Sequence, residues 1–139
     1  MKNPQLATIL LVEDDPGHAL LIEKNLGRAG LPYPIVKFTD GQKAVDYLLG
    51  DGVGQTVLML LDLNLPVLDG YQVLKIVKND ARTKMIPVVM LTTTDNPQEI
   101  AKCYELGCNM YLSKPVDYEQ FTAAIRNLGM FLAIVKIPG

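Results

Sequence analysis

VLMLLDLNLPVLDG, residues 57–70, runs five apolar side chains directly into Asp62 and is then cut by Pro66. An unbroken apolar run of this length fits a strand buried on both faces of a parallel sheet, rather than the alternating pattern of a half-exposed one. Asp62 then stands at the carboxyl end of that strand, the side of an open parallel sheet where ligands and chemistry collect. The plainer alternative is an Asp that only starts a turn with Asn64 and Pro66. The rest of the chain decides between the two.

Working outward, apolar strand-like runs alternate with helical patterns five times, the signature of a parallel sheet covered by helices on both faces. The first strand, Thr8 to Val12, ends at Glu13-Asp14-Asp15, and Pro16 suits the first turn of the helix that follows. Ala19, Ile22, Leu26 and Ala29 recur at helical spacing until Gly30. Pro34 to Thr39, interrupted by Lys37, reads as an edge strand, and Asp40 as the cap of a helix carrying Ala44, Val45, Leu48 and Leu49. Gly50, Gly52 and Gly54 make a loose connection to the central strand. After Asp69-Gly70 comes a helix with Val73, Leu74 and Val77 inward, then the strand PVVML opened by Pro87 and ending at Thr92.

Asn96, Pro97 and Glu99 spell the next helix start, with Glu99 placed to reach back to the cap, and Ile100 with Cys103 or Tyr104 on its inner face. A short fifth strand, Met110 to Leu112, leads to Ser113-Lys114-Pro115. The last helix begins at Asp117 with Gln120 placed for a capping box. Its apolar residues Phe121, Ile125, Leu128, Leu132 and Val135 keep a spacing near 3.5 through Gly129. Met130, Ile134 and Ile137 form a second apolar set that the same stripe cannot bury. They mark either a partner surface or a tail folded back on its own domain.

At 139 residues the chain has the size of one domain, able to bury a core without disulfides or structural metal. A hydrophobic fraction of 49% and a net charge of -2 show no basic surplus, so nothing asks for nucleic acid. The N-terminal apolar run is too short for a secretory signal and no later run reaches membrane-spanning length. Cys103 and Cys108 have no histidine nearby to complete a metal site, so reduced, packed thiols in a cytoplasmic protein are expected.

A doubly wound sheet of order 2-1-3-4-5 places the first, third and fourth strands side by side at its switch point. Asp14 and Asp15, Asp62, Thr92 and Lys114 then share one crevice. Carboxylates held close together repel, and a proton or a hard cation must relieve this; Mg²⁺ with oxygen ligands is the economical choice at neutral pH. A carboxylate so neutralised can attack phosphorus and become an aspartyl phosphate. Asp62 is the candidate nucleophile, Asp15 a direct metal ligand and Asp14 a ligand through water. Lys114 supplies positive charge, and the Thr92 hydroxyl a hydrogen bond, to phosphoryl oxygens. Each residue has an ordinary reading as well: helix caps for Asp14 and Asp15, a strand-end hydroxyl for Thr92, a solvated charge for Lys114.

VEDD at 12–15, LLDLNLP at 60–66, MLTTT at 90–94 and YLSKP at 111–115 together resemble the receiver domain of bacterial response regulators. The resemblance covers essentially the whole chain. It implies a single receiver domain over residues 1–139, with 130–139 as a C-terminal extension, on an α/β, flavodoxin-like fold with five helices. It implies that a partner sensor histidine kinase donates the phosphoryl group to Asp62, and that Mg²⁺ is bound by Asp15, Asp62 and the backbone carbonyl of Asn64. A cis peptide between Lys114 and Pro115 is implied too, as is a switch in which the Thr92 hydroxyl moves toward the phosphoryl group and Tyr111 turns inward behind it. GHALLIEKNLGRAG at 17–30, LDLNLPVLDG at 61–70 and FLAIVKIP at 131–138 are similar to the stand-alone regulators associated with phytochromes. That narrower likeness implies a light-regulated kinase and a homodimer through the C-terminal helices. Two positions depart from the common pattern: Thr93 is bulkier than the small residue frequent there, and Thr94 offers neither carboxylate nor amide to manage a hydrolytic water.

Three rival readings share parts of this pattern. A phosphohydrolase with an aspartyl nucleophile wants a second acid two residues on, where Asn64 cannot titrate. A flavodoxin-like cofactor binder needs a first loop that cradles phosphate, and Glu13-Asp14-Asp15 would repel it. A receiver-like interaction module that acts without phosphorylation is the third. His18, the only histidine, falls beside the acidic cluster as a surface residue that modulates the crevice at most. No output domain fits in the remaining residues, so the signal is expected to leave through contacts with an unknown downstream protein rather than through catalysis on another substrate.

Overall fold

A computed structural model describes residues 7–31, 33–124 and 126–127. Strands and helices alternate as β1 (Thr8–Val12), α1 (Pro16–Arg28), β2 (Ile35–Phe38), α2 (Gly41–Leu49), β3 (Thr56–Asp62), α3 (Gly70–Lys78), β4 (Val88–Thr92), α4 (Pro97–Glu105) and β5 (Met110–Ser113). The chain is helical again at 118–124, within α5. The strands form one sheet in the order β2-β1-β3-β4-β5, and every neighbouring pair is parallel. This is the doubly wound arrangement expected from the sequence. The further C-terminal apolar residues and the dimer built on them lie outside the described residues.

The continuous apolar runs follow from the two-layer core. Alternate side chains of each inner strand point to opposite faces, so both faces must be apolar. Leu10, Val12, Met59, Leu61, Val88 and Met90 pack against Ala44, Val45 and Leu48 of α2 and Val73, Leu74 and Val77 of α3. Ile9, Leu11, Leu58, Leu60, Val89 and Leu91 pack on the other face against Ile22 and Leu26 of α1 and Phe121 of α5. β2 is an edge strand, as expected, and its outward Lys37 pairs with Glu23 of α1 at 3.0 Å.

The helix starts are fixed by side-chain caps. Asp40 accepts from the Lys43 amide, Asp69 and Gln72 close a reciprocal capping box, and Asn96 accepts from the Gln98 amide with Pro97 in the first turn. Glu99 does not reach back as expected, because the Asn96 N–H is already donated to Thr94 Oγ1 at 3.1 Å. Of the two candidates for the inner face of α4, Cys103 is buried and Tyr104 stays 46% exposed. The glycine-rich connection after α2 is not loose: the amides of Gly50 and Gly52 donate to the Tyr47 carbonyl of α2, that of Val53 to the Gly50 carbonyl and that of Gln55 to the Gly52 carbonyl. Both cysteines are free and buried, and burial pushes the Cys108 thiol up to about 12, so both are packing residues. Among the described residues no helix is long and apolar enough to cross a membrane.

The loop between β3 and α3 carries the tightest backbone constraint. A Cβ on Gly70 would meet the Asp62 carbonyl oxygen at 2.5 Å and the Leu63 Cα at 2.6 Å, both backbone atoms that cannot step aside. The Gly70 N–H also donates to the Leu63 carbonyl at 2.8 Å, folding the loop directly under Asp62. Three residues earlier, Val67 is 73% exposed and holds φ 70, the left-handed region that disfavours a β-branched side chain. These two positions predict substitutions of opposite sign. In urea unfolding, Gly70→Ala is expected to lose about 1–3 kcal/mol, whereas Val67→Gly is expected to gain about 1 kcal/mol as strain relief outweighs added chain entropy. A neutral Gly70→Ala would contradict the close approach of α3 to the end of β3.

Candidate functional site

Asp62 and Glu13 converge because β3 and β1 are neighbours, and Lys114 reaches them from the end of β5, beyond β4. Asp62 is the last residue of β3 and is 3% exposed. Glu13 follows β1 directly and is equally buried, anchored by its amide to the Phe38 carbonyl of β2 at 3.0 Å. Lys114 directly follows β5 and is joined to Pro115 by a cis peptide, and its amide donates to the Thr92 carbonyl at 2.7 Å. Its ammonium thereby reaches inward to Glu13 Oε1 at 2.6 Å and Asp62 Oδ1 at 3.3 Å, with only 6% of its side chain exposed. Thr92 ends β4 almost fully buried, and its hydroxyl accepts from the Thr94 amide at 3.0 Å.

Glu13, Asp14 and Asp62 each offer a carboxylate oxygen to a group whose members lie within 4.8 Å of one another. The expectation for Asp15 needs correction here. Its Oδ1 accepts from the Gly17 amide at 2.8 Å and the His18 amide at 3.1 Å, so the carboxylate caps α1 and does not join the group. The His18 amide, more than any other contact, holds the Asp15 carboxyl below its usual range. The acids after β1 that face Asp62 are therefore Glu13 and Asp14, one residue earlier than Asp14 and Asp15. A signal for this stood in the sequence: Pro16 at the first helical position makes Asp15 the N-cap, and an N-cap Asp turns its side chain onto free amides.

The electrostatics of the group are those of a site that wants a cation. Burial pushes the Asp62 carboxyl up to about 7, the nearby Glu13 charge pushes the same way, and Lys114 pulls it back. Asn64 stands exposed just beyond, its amide 3.4 Å from Asp62 Oδ1. Tyr111 on β5 is half-buried, its ring edge-on to Tyr104 of α4 with centroids 6.2 Å apart. His18, expected as a surface residue beside the acidic cluster, has its Nδ1 3.2 Å from the Lys114 ammonium.

A doubly wound parallel sheet with buried acids, a hydroxyl and a lysine at its carboxyl edge defines a receiver, and the chain belongs to the response regulator receiver domain family, whose pattern it matches over residues 9–126. Among particular proteins, it is 34% identical over 135 residues to the response regulator Rcp1 of Synechocystis, spanning 94% of this chain and 92% of that one. The crystal structure of a receiver domain from Rhodospirillum rubrum shares 50% identity, with a TM-score of 0.76 over 95% of this chain and 97% of that one. The bacteriophytochrome response regulator RtBRR shares 40% identity, with a TM-score of 0.82 over 96% and 84% of the two chains. The fold and the acidic pocket are thus those of a receiver related to stand-alone phytochrome response regulators.

The raised Asp62 value sets a pH dependence for stability. The folded state binds the Asp62 proton more tightly than the unfolded chain, whose value is near 3.8. Stability is therefore lost as pH rises from about 4 through about 7, as the buried carboxylate ionises. Without divalent metal, Asp62→Asn is expected to raise the melting temperature at pH 8 by at least about 3 °C. The gap should close as pH falls toward 4, which thermal unfolding at several pH values would check.

Proposed function

We propose that this chain is a stand-alone response regulator that accepts a phosphoryl group on Asp62 from the phosphohistidine of a partner sensor histidine kinase. The single observation that carries the reading is the pairing of Asp62 with Lys114 inside a cluster of carboxylates at adjacent strand ends. In the transfer, an Asp62 carboxylate oxygen forms a bond to phosphorus as the phosphorus–nitrogen bond of the donor breaks, and the imidazole leaves with its electron pair and takes up a proton. Lys114 orients the Asp62 carboxylate and offers donors to the phosphoryl oxygens. Thr92 keeps a hydroxyl at the end of the neighbouring strand; its oxygen accepts from the Thr94 amide, and its own proton remains to be donated to the same group.

Asp14, Asp62 and Glu13 fit a hard divalent cation, with the Asn64 carbonyl as a further oxygen ligand and Asp15 only as the cap beside them. Mg²⁺ is the proposed ion. The crystal structure of the Mn²⁺-bound form of Rcp1, 32% identical to this chain, supports a divalent ion in a relative's structure. When bound, such an ion would neutralise the carboxylates and polarise the phosphoryl oxygens. It would also oppose the burial and charge repulsion that raise Asp62, favouring the carboxylate that must attack.

Phosphate would add charge and acceptors that bias two packings of the loops after β4 and β5, with Thr92, Tyr111 and the Lys114–Pro115 segment as the moving parts. The proposed setting is cytoplasmic, with a phytochrome-type kinase as donor and a downstream protein reading the altered surface. Intact mass after incubation with Mg²⁺ and acetyl phosphate tests the reading. The native chain should gain one alkali-labile phosphoryl group, and Asp62→Asn should gain none. No adduct on the native chain, or an undiminished one on the variant, would refute it.

A further inference from the structure

The buried stripe of α1 holds one residue foreign to an apolar layer. Ile22 and Leu26 pack there with Val116 and Phe121, and Asn25 on the same helix is buried as deeply, at 3% exposed. Its side-chain Nδ2 donates to the Val116 carbonyl at 3.4 Å, across 91 positions of the chain. Turning the amide oxygen to that carbonyl would set two acceptors against each other, which fixes the orientation of the side chain. Val116 is itself 3% exposed and lies outside every strand and helix. Without Asn25 its carbonyl would be a buried acceptor with no partner among the described residues. Burying a polar side chain is unfavourable unless it is hydrogen-bonded, so the tie to Val116 is what keeps an asparagine at this core position.

That carbonyl stands two residues beyond Lys114. Upstream, the Lys114 amide donates to the Thr92 carbonyl at 2.7 Å. Downstream, Pro115 has no N–H to give, and the Val116 carbonyl is tied by Asn25. The segment that carries the lysine is thus pinned to β4 on one side and to α1 on the other, where Leu21 and Ile22 also border Lys114, Pro115 and Val116. α1 in turn starts from the loop that carries Glu13: the Asp15 amide donates to Glu13 Oε2 at 3.2 Å, and the Asp15 side chain caps the helix. One helix therefore braces both ends of the Glu13–Lys114 contact. We propose that Asn25 is a positioning residue for the phosphoryl site: by holding the Val116 carbonyl it fixes the backbone from which the Lys114 ammonium reaches Asp62. The inference rests on the reading of Asp62 as phosphoacceptor. A lysine side chain is a flexible four-carbon stem, so the place of its charge depends on where its backbone is held. Of its two carboxylate contacts, 2.6 Å to Glu13 and 3.3 Å to Asp62, the longer is the one a loosened backbone loses first. Asn25 acts through Lys114 alone and takes part in no covalent step.

The test uses the full chain with Mg²⁺ and acetyl phosphate. Asn25→Leu removes the donor and keeps apolar bulk in its place. Thr83→Val is the control: it removes a buried donor of the same kind, 2.7 Å from the Val77 carbonyl, in the connection from α3 to β4 at the other end of the sheet. At saturating Mg²⁺, Asn25→Leu should gain its phosphoryl group about three- to tenfold more slowly than the native chain, and Thr83→Val within about twofold of native. The ¹H–¹⁵N signal of the Lys114 ammonium, buried at 6% exposed, should shift or vanish in Asn25→Leu and stay in place in Thr83→Val. In the native chain itself the Asn25 side-chain amide protons should exchange with solvent at least about tenfold more slowly than those of free asparagine, a result that stands even if Asn25→Leu fails to fold. A native rate or an unmoved Lys114 signal in Asn25→Leu, an equal slowing in Thr83→Val, or unprotected Asn25 amide protons overturns the role of Asn25 and leaves the phosphoacceptor reading standing. A native chain that gains no phosphoryl group at all overturns both.

Discussion

The buried contact between the Lys114 ammonium and the carboxylates of Glu13 and Asp62 is the constraint on which the rest of the molecule depends. It joins the loops after β1, β3 and β5, which are distant in sequence and meet only because the sheet has the order β2-β1-β3-β4-β5. Removing Lys114 would cost about 3–5 kcal/mol, because the buried carboxylates would be left as uncompensated charge. Yet the contact is not balanced. Glu13, Asp14 and Asp62 bring three carboxylates to a place with one ammonium, and the raised value of Asp62 is the physical trace of that excess. A fold that only needed to be stable would not keep it. The imbalance is what a divalent cation would relieve, and it leaves Asp62 the most easily perturbed group in the site.

Much of this was legible in the sequence because each level of local chemistry pointed the same way. The run Leu58–Leu61 ahead of Asp62 could only be a strand with two apolar faces. Pro16, Asp40, Asp69 and Asn96 with Pro97 marked helix starts that the structure places where the spacing did. In the acidic run Glu13-Asp14-Asp15, the pair that faces Asp62 is Glu13 and Asp14, one residue before the expected Asp14 and Asp15. Composition shows three acids in a row, but only the cap geometry shows that Asp15 is turned onto the amides of α1 while Glu13 is drawn inward to Lys114. That distinction depends on where β1 stops, and strand ends are the least determined part of a sequence pattern.

The loop from Leu63 to Gly70 shows how the site is held on the side away from Lys114. Gly70 brings α3 against the backbone of Asp62 and Leu63, closer than any side chain would permit, and Gly41 at the start of α2 donates to the Pro66 carbonyl at 3.3 Å. Two helices are thereby pinned to the segment that carries the reactive carboxylate. The opposite side is built differently. The Thr92 hydroxyl is held by one described hydrogen bond, from the Thr94 amide, and the half-buried Tyr111 sets its ring edge-on to Tyr104, so these side chains are held by fewer polar ties than the backbone under Asp62. Rigid support under the acceptor and lightly held groups beside it are the division expected of a chemical site that must report its own occupancy.

The central claim is that Asp62, and no other group, carries the phosphoryl. Borohydride reduces an aspartyl phosphate to homoserine, so phosphorylation, reduction and peptide mapping read the position directly. The account predicts homoserine at residue 62 and nowhere else. Homoserine at position 14 or 15, or a reduction-resistant phosphoryl group on His18, would contradict it.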